Sequence, residues 1–325
     1  MILLSILAAL VPTFLYLLLL WWLDKYEKEP WGLFLAAFAW GCVPAIILSI
    51  IFELVLDIPL SALVESASEA LSRVVVAPVV EEGIKGLAVL LIFLIRRREF
   101  DGLLDGIIYG AVVGFGFGMT ENLLYFIQNA GDPMVILLRT LPFGLNHAFF
   151  TAFTGASLGL ARQSRQRWKW ILFFPLGLLV AMSFHGVHNL AVGMGCPGLL
   201  FALVSDWGGI TVILVVAFLS WGQEKRWIRQ ELAEEVTAGL MAPADYQAVQ
   251  TIAKRIGARL WIWRKHGWRA FRLLGRFFNL ATELAFRKHH LRMGTVRWQR
   301  PDELELLRAR VRQARGALLN IMGVS

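Results

Sequence analysis

Ala77-Pro-Val-Val-Glu81-Glu82-Gly-Ile-Lys85-Gly-Leu-Ala-Val-Leu-Leu-Ile-Phe-Leu-Ile95 sets two adjacent carboxylates and a lysine into an apolar run that ends at Arg96-Arg97-Arg98. An ionisable side chain at membrane depth costs about 3 kcal/mol to insert, so such residues are retained where they act. At helical spacing Glu81 and Lys85 share a face and pair, while Glu82 points about 100° away. The plain alternative is a structural ion pair where a helix meets headgroups. What decides between them is whether other polar residues meet these acids.

Working outward, the chain is 325 residues long and 57% hydrophobic. A soluble domain is nearer 45–50% apolar. The apolar residues come in long runs, which marks a polytopic membrane protein. Seven spans are expected, at 2–23, 32–56, 79–95, 103–128, 134–160, 169–194 and 198–222. The first lacks a basic flank and a small-residue cleavage site, so it reads as a retained helix and not a signal peptide. Two cysteines, Cys42 and Cys196, make no disulfide framework or metal-ligand spacing. Orientation follows from Lys/Arg asymmetry. Loops 24–31, 96–102 and 161–168 extended to Lys169 carry nine Lys/Arg, against Arg73 alone in 57–78, 129–133 and 195–197. That places the N-terminus outside and the C-terminus in the cytoplasm.

Gly106, Gly110, Gly114 and Gly118, spaced by four, form a small-residue ladder that lets a neighbouring helix approach closely and brings Glu121 near it. Residues 57–78 read as an amphipathic segment on the outer surface or as an ordinary ordered loop. After Trp221 the composition changes: residues 223–325 hold twenty Lys/Arg and nine Asp/Glu. In Leu260–Phe278, Trp261, Trp263, Trp268, Phe271 and Phe277 interleave with Arg259, Arg264, Lys265, Arg269, Arg272 and Arg276, as in a helix lying on an anionic leaflet. Membrane tethering disfavours nucleic acid as a partner. Gly257, Gly267, Gly275 and Gly294 are expected to break this region into short helices.

Depth links the spans. Glu81 lies fifteen residues from Arg96, Glu121 sixteen from Asp105, His147 fifteen from Arg162 and His185 sixteen from Lys169. At 1.5 Å per residue each sits roughly 22–24 Å from the cytoplasmic edge. Four spans of alternating direction thus place acids and imidazoles in one layer toward the outer face. Such a layer contains a general base, a proton shuttle and an electrophilic partner for activating water. It equally suits zinc, which takes imidazole nitrogen and carboxylate oxygen. Asn122, Asn146 and Asn189 add amide donors, and His185 with Asn189 and His147 with Thr151 share helix faces. His188, one turn above His185, is a supporting partner or an interface residue. A transporter or proton relay is the alternative that uses the same residues. Against it, neither an inverted repeat nor paired broken helices is visible.

Six motifs then stand in order: Asp24-Lys-Tyr-Glu-Lys-Glu-Pro-Trp31, Glu81-Glu82-x-x-Lys85, Asp105-Gly-x-x-Tyr-Gly110, Phe117-x-x-x-Glu121-Asn122, His147-x-x-x-Thr151 and His185-x-x-x-Asn189. Over roughly residues 1–222 the chain resembles the PrsW family of intramembrane peptidases, relatives of the CAAX- and bacteriocin-processing membrane proteases. The resemblance implies peptide-bond hydrolysis, with the double glutamate and the late histidine as catalytic elements. It makes Glu81 the base that activates water and Glu82 its support, with His185 and Asn189 holding the oxyanion. Glu121 stands where CAAX-processing relatives have a histidine, so it is a second acid or a metal ligand with His147. Members have been described both as metalloproteases and as glutamate proteases, so zinc held by Glu121, His147 and His185, or no metal, both stay open. The family's best-known role is first-site trimming of a membrane-anchored regulatory protein on its extracytoplasmic side.

The expected architecture is an all-α bundle of about seven transmembrane helices, with a protease domain at 1–222 and a basic helical region at 223–325. The expected setting is a bacterial inner membrane. The expected partners are a membrane-anchored protein substrate, the bilayer, and anionic headgroups at the C-terminal region.

Overall fold

The computed structural model describes residues 2–26, 28–63, 68–164, 166, 168–294 and 302–323, with side chains at 57–63 and 68 left aside. Every regular element among them is helical. Two compact units form: Met1–Asp24 with Glu29–Ala217, and Lys25–Lys28 with Phe218–Ser325.

In the first unit, α1 (Ile2–Leu23) is followed by α2 (Trp31–Trp40), a π-helical turn (Gly41–Ala45) and α3 (Ile46–Leu63). A short α4 (Ser68–Leu71) runs through a second π-helical turn (Ser72–Val76) into α5 (Ala77–Ile95). Then come α6 (Leu103–Gln128), α7 (Pro133–Thr140), α8 (Asn146–Gln163), α9 (Lys169–Val192) and α10 (Gly195–Thr237). Five helices among the described residues are long and apolar enough to cross a membrane: Ile2–Leu23, Trp31–Leu56, Leu103–Gln128, Lys169–Val192 and Gly195–Thr237.

Several expectations change. Residues 134–160 are not one span: the chain breaks between α7 and α8, at Leu141-Pro-Phe-Gly-Leu145. Pro142 has no N–H to continue the ladder. Gly144 passes so close to the Thr140 carbonyl that a side chain there would collide with it. The freed carbonyls find other donors, Tyr16 Oη on Thr140 at 2.7 Å and Trp207 Nε1 on Pro142 at 2.9 Å. Helix α5 and helix α8 are absent from the five because their polar residues dilute the run. Of the expected surface segment 57–78, residues 64–67 lie outside the described residues, and Ser68–Val76 leads without a break into α5. Arg165 and Arg167 of the orientation tally, and Glu27 of the first motif, also lie outside.

The centre of the first unit is α6 against α8. Side chains at Gly106 or Gly114 would strike the backbone carbonyls of Gly155 or His147, and one at Gly110 would meet Thr151 and Ala152. The expected ladder is therefore the seam along which two backbones touch.

The second unit contains the end of α10, α11 (Pro243–Val249), α12 (Ile252–Met293) and α13 (Glu303–Met322). Its core gathers Leu232, Val249, Leu274, Phe277, Leu284 and Val311. Lys288 ties it to α10, with Nζ 2.7 Å from Glu235 and 2.9 Å from Glu234. The position expected to end the last span, 222, falls inside α10. Within α12, Gly267 has φ 80° and ψ −175°, a conformation only glycine adopts without strain. There the helix folds back on itself. The Arg259 guanidinium lies 4.0 Å over the Phe271 ring, and Arg255 reaches Thr282 Oγ1, so the two halves run antiparallel. Gly294 ends the second half at φ 68°. Gly257 and Gly275, expected as breaks, are helical; a side chain at Gly275 would crowd Arg259.

Candidate active site

A cavity of about 700 Å³ in the first unit is lined by Glu81, Glu121, His147, His185 and Asn189, among others. Four helices deliver them: α5 the glutamate pair and Lys85, α6 Glu121, α8 His147 and α9 His185. The four residues expected to share a depth do share one cavity.

Lys85 is the hub. Its fully buried ammonium lies 2.6 Å from Glu82 Oε1, 3.3 Å from Glu81 Oε2 and 3.3 Å from His147 Nδ1. It also stands 4.0 Å over the Phe117 ring. The lysine was expected to pair with Glu81 and leave Glu82 aside; instead it holds both acids and is nearer Glu82. One ammonium bridging two buried carboxylates offsets charge that burial alone would make prohibitive.

Glu82 is fully buried and engaged on both oxygens. Thr151 Oγ1 donates to Oε2 at 3.0 Å, and His185 Nδ1 lies 3.1 Å from Oε1. A carboxylate accepts, so Nδ1 of His185 carries the proton. That leaves Nε2 turned toward Glu81 Oε2, 3.9 Å away. The imidazole is clamped by stacking on Phe150, with centroids 4.9 Å apart. Glu81 keeps an oxygen free of these fixed partners and lines the cavity.

Glu121 stands on the other side. His147 Nε2 lies 2.7 Å from its Oε2, which Arg139 also pairs, and Arg139 Nε donates to Asn122 Oδ1 at 2.7 Å. The glycine seam explains the first contact: Gly118 on α6 sits against the His147 ring, so α8 lies close enough for the carboxylate to reach.

Asn189, expected beside His185, spends its amide elsewhere. Its Nδ2 donates at 2.9 Å to the Arg73 carbonyl in the π-helical turn ahead of α5. It lines the cavity without touching the glutamate pair. A further polar group escaped sequence reading: Asp206, fully buried on α10, accepts from Asn146 Nδ2 at 2.9 Å and sits 2.7 Å from His188 Nδ1. An aspartate inside an apolar run was the available signal, as was Arg139 inside the expected fifth span.

Glu81, Glu82, His147 and His185 each offer a ligand atom within 4.8 Å of the others. Two carboxylates and two imidazoles are a donor set that zinc takes. Glu121, expected as a second acid or a metal ligand, lies outside this group, with its Oε2 2.7 Å from His147 Nε2. By donor type the residues fit a zinc ion. The cation now touching three of the four donors is Lys85.

A family model described as "PrsW family intramembrane metalloprotease" matches residues 29–221. The chain belongs to the PrsW family. Among its relatives is the Protease PrsW of Geobacillus kaustophilus, 32% identical over 169 residues, covering 51% of this chain and 69% of the relative. The Protease PrsW of Bacillus subtilis is 36% identical over 111 residues, 34% of this chain and 48% of the relative. That of Shouchella clausii is 27% identical over 207 residues, 61% and 88%. No solved structure matches the chain. As a PrsW-family member with several membrane-crossing helices, the protein is a multi-pass membrane peptidase, and neither its relatives nor its site supports the transporter alternative.

Proposed function

We propose that this protein hydrolyses a peptide bond of a membrane-anchored protein near the extracytoplasmic face, with Glu81 as the base that activates water. The observation that carries the reading is the continuous network from Glu82 through His185, Lys85 and His147 to Glu121 around one cavity. Glu81 takes a proton from water as the oxygen attacks the scissile carbonyl, and returns it to the leaving amine. His185, held through Nδ1 by Glu82, presents Nε2; in its imidazolium form it donates to the oxyanion, and Glu82 balances that charge. Lys85 bridges the two carboxylates and fixes their positions. Glu121 and Arg139 fix the His147 ring. Asn189 holds the turn that enters α5.

A second reading is favoured by the four-donor group and the family's description: Glu81, Glu82, His147 and His185 would hold a zinc ion. Bound there, zinc would lower the pKa of a coordinated water and polarise the carbonyl. The residues' own positions, with Glu121 orienting His147, are the same in both.

We further infer that α5 and α8 complete seven crossings of a bacterial inner membrane; eighteen helical residues span about 27 Å. The N-terminus lies outside, the C-terminus lies in the cytoplasm, and the basic region past residue 222 meets anionic headgroups. First-site cleavage of a regulatory membrane protein fits this geometry.

The test is cleavage of a single-pass substrate by the reconstituted chain. Glu81→Gln and His185→Ala should each abolish cleavage while helicity and melting are retained. Full activity in both variants refutes the assignment.

A further inference from the structure

The hairpin of α12 presents an unusual tip. Three indoles near Gly267 stand in solvent: Trp261 is 54% exposed, Trp263 49% and Trp268 57%. They are not loose. Trp268 stacks on Phe271 with centroids 4.8 Å apart, Trp263 reaches the same ring at 6.4 Å, and Lys265 stands 5.1 Å from the Trp261 ring.

Down the second half of the hairpin, Arg269, Arg272 and Arg276 follow at helical spacing. With Leu273, Ala317 and Ile321 they line a cleft of about 550 Å³ between α12 and α13. An adjoining cleft of about 500 Å³ shares Arg272 and Arg276 and adds Arg259, Arg310 and Glu283, which pairs Arg310 at 3.8 Å. Among the described residues, Arg269, Arg272 and Arg276 have no acidic partner, whereas Lys288, Arg292 and Arg308 all reach the acids of α10. Positive charge therefore outweighs negative on this side of the unit, around Leu273, Ala317 and Ile321.

Guanidinium forks take the oxygens of a phosphate in pairs. Indoles settle at headgroup depth, where one edge is apolar and the N–H is wet. The two features adjoin on one hairpin. We propose that the α12 tip and the Arg269–Arg272–Arg276 cleft form a binding site for an anionic phospholipid, with the phosphodiester between the arginines and the indoles in the headgroup layer. This sharpens the reading of the basic region as a leaflet-facing surface and is independent of the peptidase chemistry.

The full chain, purified in detergent, would be titrated with short-chain phosphatidylglycerol or phosphatidylcholine and bound lipid counted by native mass spectrometry. Replacing Arg269, Arg272 and Arg276 together by Gln should weaken phosphatidylglycerol binding roughly a hundredfold, from three lost contacts. Phosphatidylcholine binding should not change. Gln at Arg226, Arg229 and Arg312 removes equal charge elsewhere and should leave binding intact; Lys at the three cleft positions should restore only part of it. If both Gln triples weaken binding equally, the defined site is refuted while a diffusely basic surface survives. If neither does, both ideas fall. Displacement of the lipid by millimolar inorganic phosphate, or tighter binding of an RNA oligonucleotide than of phosphatidylglycerol, also overturns the proposal.

Discussion

Removing the Lys85 ammonium should unbalance the two acids unequally. Its Nζ is 2.6 Å from Glu82 and 3.3 Å from Glu81. At an effective dielectric near 20, these separations correspond to attractions of about 6 and about 5 kcal/mol. Desolvation of three buried ions, several kcal/mol each, offsets most of that. Lys85→Met leaves both carboxylates buried without their shared partner, which typically costs about 3–5 kcal/mol. The stability of the full chain in micelles, followed by denaturant unfolding, gives this figure directly. A double-mutant cycle then apportions it: the coupling of Lys85 to Glu82 should exceed that to Glu81 by about 1 kcal/mol. Glu81 is also the slightly exposed member, which widens the gap. If Lys85→Met costs less than about 1 kcal/mol, or if the Glu81 coupling is the larger, the lysine is not the hub described above.

Other outcomes follow from the same geometry. Gly114→Ala drives a methyl into the His147 carbonyl and should cost about 1–3 kcal/mol and most of the activity, while Gly83→Ala, with nothing within 4 Å, should be neutral or stabilising; melting and cleavage rates compare the two. Asp206→Ala strands the amide of Asn146 and the ring of His188, so stability should fall by about 1–3 kcal/mol, and Asp206→Asn should lose less. Because Lys85 sits against three of the four candidate zinc donors, Lys85→Met should retain more zinc than the unaltered chain on elemental analysis, and adding His147→Ala should reverse the gain.

The gathering of Glu81, Glu121, His147 and His185 at one cavity was legible because rise per residue is fixed: a count from a charged edge is a distance. The glycine ladder was legible for the same reason, since spacing by four names a face. What the sequence hid were departures from regularity. The break at Leu141–Leu145 is apolar throughout, so hydropathy ran straight across Pro142 and Gly144. Arg139 and Asp206 were absorbed into spans because each is one polar residue in a long apolar run. The preference of Lys85 for Glu82 depends on rotamers that spacing does not specify. Of the four glycines expected to break the basic region, only Gly267 reverses the chain, because only there does the backbone need positive φ within the helix. The apolar side of that region could have met lipid or itself; Phe277 and Leu284 against Val311 show that much of it closes on itself, leaving the tryptophans outside.

The backbone-to-backbone contact of α6 and α8 has a consequence for how a substrate would enter. Two helices whose backbones touch at successive glycines cannot slide or part without opening a void along that seam. Glu121, His147 and Thr151 therefore move as one rigid wall. Admission of a polypeptide must be granted by a different boundary of the chamber, and the eight-residue α7, bordered by the Pro142 break, lines it through Val135, Leu138 and Arg139.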